Sequence, residues 1–130
     1  MFYIPNERNH GLPHDPFQAL VAPRPIGWIS TCSLTGVLNL APYSYFNALS
    51  SDPWLVAFSA SSEKDSVAFA RESGEFVANF VGADMLGPMV QSSVNAPRGS
   101  SEFDYTGLTA EPSICVRPPR VREECAALEF

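Results

Sequence analysis

Basic residues are scarce in this chain. Eight Lys and Arg stand against fourteen Asp and Glu, for a net charge of −6 at pH 7. That balance argues against nucleic acid or an anionic membrane as partner, because both recruit clustered Lys and Arg. A bound phosphate is still allowed, since it needs only local donors. No apolar run approaches the roughly 20 residues of a membrane span. The first residues, Met1-Phe2-Tyr3-Ile4-Pro5-Asn6-Glu7-Arg8, lack the basic region and apolar stretch of a signal peptide. Cys32, Cys115 and Cys125 are odd in number and carry no CxxC spacing, so neither a disulfide framework nor a zinc site is indicated. The expected compartment is the cytoplasm.

Other absences exclude whole chemistries. His10 and His14 are the chain's two histidines, and the Gly11-Leu12-Pro13 between them breaks the helix that would align them as metal ligands. No metal is expected. There is no Gly-x-Ser-x-Gly elbow and no third histidine, which argues against a hydrolytic triad. Neither a Gly-x-Gly-x-x-Gly fingerprint nor a Walker loop occurs, so any nicotinamide would bind without a Rossmann domain of its own.

What is present is a chain of 130 residues, 45% apolar, which is the size and composition of one domain with a buried core. Residues 1–20 read as an extended arm with a helical turn near Phe17-Gln18-Ala19-Leu20. A strand is expected from Ile26 to about Ser33, with a hairpin loop at Leu34-Thr35-Gly36 and an antiparallel return over Val37 to Ala41, closed by Pro42. Tyr43 to Ser51 reads as a long loop or a single helical turn, and Trp54 to Ser59 as a strand. Ser62-Glu63-Lys64-Asp65 has the form of a capping box, with Asp65 as the alternative N-cap, opening a helix that Gly74 stops. Glu75 to Val81 alternates as a strand. Ala83 to Ser93 is a weaker helix spoiled by Gly87-Pro88, Asn95 to Glu111 reads as irregular, and Ala126 to Phe130 as strand. Short antiparallel strands with a few helices predict a mainly β fold, a small barrel with helices outside.

Two segments carry the chemistry. The helix start around Ser59, Ser61, Ser62, Lys64 and Ser66 offers free backbone N–H groups, hydroxyl donors and one cation, the ingredients of a phosphate site. Plain helix capping uses the same residues. The loop at Ser44, Tyr45, Phe46, Asn47 and Ser50, with Trp28, can meet a flat ring: amides and hydroxyls for its polar edge, aromatics for its apolar edge. The same aromatics could be ordinary core or dimer contacts. Ser30, Thr31 and Cys32, at the end of the first strand, could reach ribityl or phosphate oxygens, or simply finish the strand. Arg24 could contact phosphate or a partner subunit, or lie on the surface, and Asn79 could face the flavin or be a surface amide. A ring at one end and a phosphate at the other is the shape of FMN.

Arg24-Pro25-Ile26-Gly27-Trp28-Ile29-Ser30-Thr31, Asn39-Leu40-Ala41-Pro42-Tyr43-Ser44-Tyr45-Phe46-Asn47, Ser50-Ser51-Asp52-Pro53, Lys64-Asp65-Ser66 and Gly74-Glu75-Phe76-Val77-Ala78-Asn79 follow one another in an order that resembles the flavin reductase-like family. The resemblance covers about Val21 to the C-terminus. It implies an FMN-binding split barrel and a homodimer with the flavin near the subunit interface. It also implies transfer of hydride from NAD(P)H through FMN to free flavin, ferric iron or another acceptor. A non-catalytic FMN electron carrier or storage protein is the alternative. The resemblance places Ala48 and Asp65 in cofactor-binding segments, with loop contacts made largely by main chain. No side chain is assigned as a general acid or base, because the flavin carries the chemistry. Family members usually continue past the point matching Ala127-Leu128-Glu129-Phe130 with strands that complete the barrel. The chain is therefore expected to be a fragment or truncated product, or to have its barrel completed by a partner subunit.

Overall fold

The computed structural model describes residues 4, 7, 9–94, 96, 97 and 99–130. Parts of the expected arm, and Asn95 and Arg98 of the expected irregular stretch, lie outside them.

The central strand is β1 (Gly27–Cys32), whose six residues are all buried. It pairs antiparallel with β2 (Leu38–Tyr43) on one side and with β5 (Val77–Asn79) on the other, and β5 pairs with β8 (Ala127–Glu129). The resulting sheet has the order β2-β1-β5-β8. Pro42 does not end β2: it lies opposite Trp28 in the ladder. The strand tolerates it because β2 is an edge. Leu40, two residues earlier, turns its N–H outward to the Glu102 carboxylate at 2.9 Å, so a proline of the same parity forfeits no ladder bond.

A second, two-stranded sheet joins β3 (Phe46–Ser51) to β4 (Trp54–Phe58). The expected loop at Tyr43 to Ser51 is therefore mostly strand. Two features dock this hairpin on the main sheet. One is a run of rings, Tyr43, Phe58, Phe76 and Phe130, with successive centroids 5.2, 5.1 and 5.1 Å apart. The other is Gly27, where an added Cβ would fall 2.5 Å from the Phe46 ring, so only glycine admits that ring.

The helices are short. They comprise α1 (Pro16–Leu20), α2 (Asp65–Ser73), α3 (Leu86–Gln91), entered through a 3-10 turn at Ala83–Met85, and α4 (Glu102–Thr106). Gly74 stops α2 in the left-handed conformation, as expected. The residue before α2 is Lys64, with no side-chain cap, so neither capping-box Ser62 nor Asp65 is the N-cap. Both α4 and β6 (Ala110–Glu111) fall inside the stretch read as irregular. β6 pairs with β7 (Arg120–Val121), and Glu111 accepts ion pairs from Arg120 and Arg122 across that ribbon.

Trp28, Leu40, Met89, Phe103 and Val121 form the core, between the sheet and α3 and α4. On β1 and β2 rests α2. Asn79 is not a surface amide, and it lies along the wall of an apolar cleft beside β5 and β8. It is 3% exposed, its amide N–H groups go to the Trp28 carbonyl and the Ser30 hydroxyl, and its oxygen accepts from Val121 N–H.

Candidate functional site

Where the β3–β4 hairpin meets the start of α2, a cleft of about 530 Å³ opens. That volume lies within the range of small-molecule sites. Ser59 N–H donates to the Tyr45 carbonyl at 2.9 Å, which fixes the hairpin mouth and sets Ser59 against Tyr45 at the rim. Ser44, Tyr45, Ser59, Ser61 and Lys64 line it, together with Pro42, Tyr43, Ala60, and Phe17 and Gln18 from α1. Five lining residues carry hydroxyls on serine or tyrosine, Lys64 brings a cation, and no lining residue is acidic. Lys64 stands at the N-cap of α2, so the cleft reaches the helix start, and the Lys64 side chain makes no capping bond there.

A second, smaller cleft of about 370 Å³ lies across Tyr43 and Lys64, which line both. Its character is opposite: Glu63, Asp65 and Glu102 face it. A dianionic phosphate is favoured in the first cleft and repelled by three carboxylates in the second.

Between these clefts and the core runs a buried polar chain. Glu102, 5% exposed, accepts from Leu40 N–H and from the Asn39 amide, both at 2.9 Å. A carboxylate only accepts, so it turns the Asn39 NH₂ toward itself and the Asn39 oxygen toward Ser66, whose hydroxyl donates to it. Ser66 in turn is bonded to the Tyr43 hydroxyl. Burial pushes both the Tyr43 phenol and the Glu102 carboxyl up from their ordinary values.

The sequence of this fold matches the model of the flavin reductase like domain over residues 20–130. The chain belongs to the flavin reductase-like family. An uncharacterized protein of Aquifex aeolicus is 38% identical over 115 residues, covering 85% of this chain and 59% of the relative. The crystal structure of nitrilotriacetate monooxygenase component B from Bacillus cereus superimposes with a TM-score of 0.83 at 30% identity, over 99% of this chain and 66% of that one. The 2-nitrobenzoate 2-nitroreductase NbaA of Pseudomonas fluorescens gives 0.78 at 29% identity, over 89% and 60%. The chain thus spans little more than half the length of the curated relatives it matches. Its fold is that of the family's split barrels, and membership implies a flavin.

Within this flavin reductase-like fold, the fifteen residues singled out from the sequence separate into groups. Ser44, Tyr45, Ser59, Ser61 and Lys64 meet in the first cleft, while Asp65 and Ser66 line the second. Phe46 lines a third, apolar cleft of about 760 Å³ beside β5 and β8. Asn47, Ala48 and Ser50 sit on β3 outside all three, with Asn47 and Ser50 bonded to nearby backbone N–H groups. Trp28, Ser30, Thr31 and Cys32 line none of them either. The cause is the position of β1, paired on both edges and covered by α2. Trp28 is a core side chain, its indole N–H bonded to Ser92, and Ser30 donates inward to the Pro119 carbonyl. Ser66 is similarly committed: it is 1% exposed and its hydroxyl donates to Asn39, so that hydrogen is already used within the wall of the second cleft. Sequence reading missed Phe17, Gln18, Tyr43, Asn39 and Glu102. Tyr43 and Asn39 stood inside quoted motifs, but nothing local marked Glu102.

Glu102 gives a test by pH. Its folded value is raised, so the native state holds a proton over a range where the unfolded chain has lost it. The stabilisation is complete below the ordinary carboxylate value and is lost as pH rises through the raised one. Glu102→Gln cannot ionise and lacks this dependence. The difference in thermal midpoint, wild type minus Glu102→Gln, is expected to fall as pH rises through that window. Parallel midpoint curves would contradict the assignment.

Proposed function

We propose that this chain is the FMN-binding part of an oxidoreductase that takes electrons from NAD(P)H and passes them to free flavin, ferric iron or another small acceptor. The observation that carries this reading is the first cleft, where aromatic walls and a cationic, hydroxyl-rich end meet at a helix start with no carboxylate among the lining residues. Lys64, Ser59 and Ser61 would hold the phosphate, and Tyr45 and Phe17 would flank the ring. The bound flavin would supply hydride and electron transfer; the side chains bind it, orient it and exclude water from one face. The protein acts as a cytoplasmic homodimer. Trp54, Leu49, Phe80 and Leu128 are exposed by 79, 67, 59 and 57%, apolar surface that a second copy would cover.

Anaerobic mixing of the FMN-loaded protein with NADH or NADPH tests this reading. Bleaching of the flavin band within seconds, on a species that sediments as a dimer, is expected. A flavin that dithionite bleaches and neither nicotinamide does would replace the reductase by an electron carrier, and a monomer binding FMN tightly would remove the dimer.

A further inference from the structure

We propose that Arg24 is a positioning residue that ties together two walls of the first cleft and so fixes its width for a flat ligand. For its ligand arm the proposal rests on the reading of that cleft as the FMN site. One wall is α1, which supplies Phe17 and Gln18; Tyr45 belongs to the other side. With five residues, α1 is too short to persist by its own hydrogen bonds. It is also poorly anchored by burial: of its residues only Pro16 is buried, while Phe17 and Leu20 are 49% and 77% exposed. Asp15 caps its start, accepting from Phe17 N–H at 2.9 Å, and the Arg24 guanidinium holds its C-terminal end. Its Nη1 donates to the carbonyls of Gln18 at 2.5 Å and Val21 at 2.8 Å, the carbonyls that a helix end leaves unpaired and where a cation is favoured.

The same guanidinium lies over the Tyr45 ring, with its carbon 5.6 Å from the centroid. One planar group therefore grips both walls. Pro23 and Pro25 on either side stiffen the backbone that presents it. Lysine would not substitute, because it is a point charge without the plane that stacks on Tyr45.

The test uses ligand-free protein first. Chymotrypsin is expected to cut after Phe17 or Leu20 about tenfold faster in Arg24→Ala than in wild type, with Arg24→Lys in between, while core sites stay protected. FMN is expected to slow that cut in wild type and to bind Arg24→Ala about tenfold more weakly, the loss of one set of wall contacts. Equal ligand-free cutting rates in wild type and Arg24→Ala would overturn the pinning. Faster cutting with unchanged FMN affinity would overturn the role in the cleft. If wild type binds no FMN, the function proposed above falls, and the cutting rates alone still decide whether Arg24 pins α1.

Discussion

Trp28→Ala is expected to bring the fold close to its unfolding threshold. Trp28 is fully buried at the centre of the core cluster, against Leu40, Met89, Phe103 and Val121. Truncating a buried tryptophan costs about 3–5 kcal/mol, against a total stability of about 5–15 kcal/mol for folds of this kind. The indole also carries a polar contact: its N–H donates to Ser92 at 2.9 Å, and the Ser92 hydroxyl donates to the Met89 carbonyl at 2.8 Å. Ser92→Ala isolates that second component, leaving a buried N–H unpaired at a cost of about 1–3 kcal/mol. Urea unfolding followed by circular dichroism should rank wild type above Ser92→Ala and Ser92→Ala above Trp28→Ala. A Trp28→Ala midpoint close to that of wild type would mean that the residue is not in the core.

The elements that were legible in the sequence have local causes. The hairpin of β1 and β2 was marked by Leu34-Thr35-Gly36, and the end of α2 by Gly74, a residue that takes the left-handed conformation without strain. The short helix at Phe17 was also foreseen. What was not legible depends on distant partners. The burial of Trp28 has no local mark because it is decided by Met89 and Phe103, about sixty and about seventy-five positions later in the chain. The Ser66 hydroxyl looked available because the group that claims it, Asn39, is oriented by Glu102, 63 residues from Asn39.

Most of Tyr43 to Ser51, expected as a loop or a helical turn, forms β3 although asparagine is a poor strand former. Pairing with the strongly apolar β4 overrides that preference. The helix α4 has five residues in a Gly-, Ser- and Pro-rich stretch, where Ser101-Glu102-Phe103-Asp104 carries the same Ser-x-x-acid form as Ser62 to Asp65 but too short a helix follows to show a periodic pattern. The residues singled out for the candidate site divide in the structure. Lys64, Ser59 and Ser61 do meet, whereas the aromatic loop divides between two clefts.

Lys64→Ala should weaken FMN binding and leave riboflavin almost untouched. Lys64 lines the first cleft at the N-cap of α2. Hydrogen bonds to charged groups are worth about 1.5–3 kcal/mol, which corresponds to a loss of roughly tenfold to a hundredfold. The lower end is favoured because Lys64 is exposed and its charge is screened. Riboflavin has the same ring and ribityl chain without the phosphate, so it reports any damage to the rest of the cleft. Ser66→Ala supplies the contrast. Its hydroxyl is spent on Asn39, so its removal acts on the fold and should lower both affinities alike. Fluorescence-quenching titrations of wild type and Lys64→Ala with both flavins are the most direct test of the site. The account predicts tight FMN binding by wild type and a selective loss in Lys64→Ala. Wild type that binds neither flavin, or a Lys64→Ala variant that loses both equally, would contradict it.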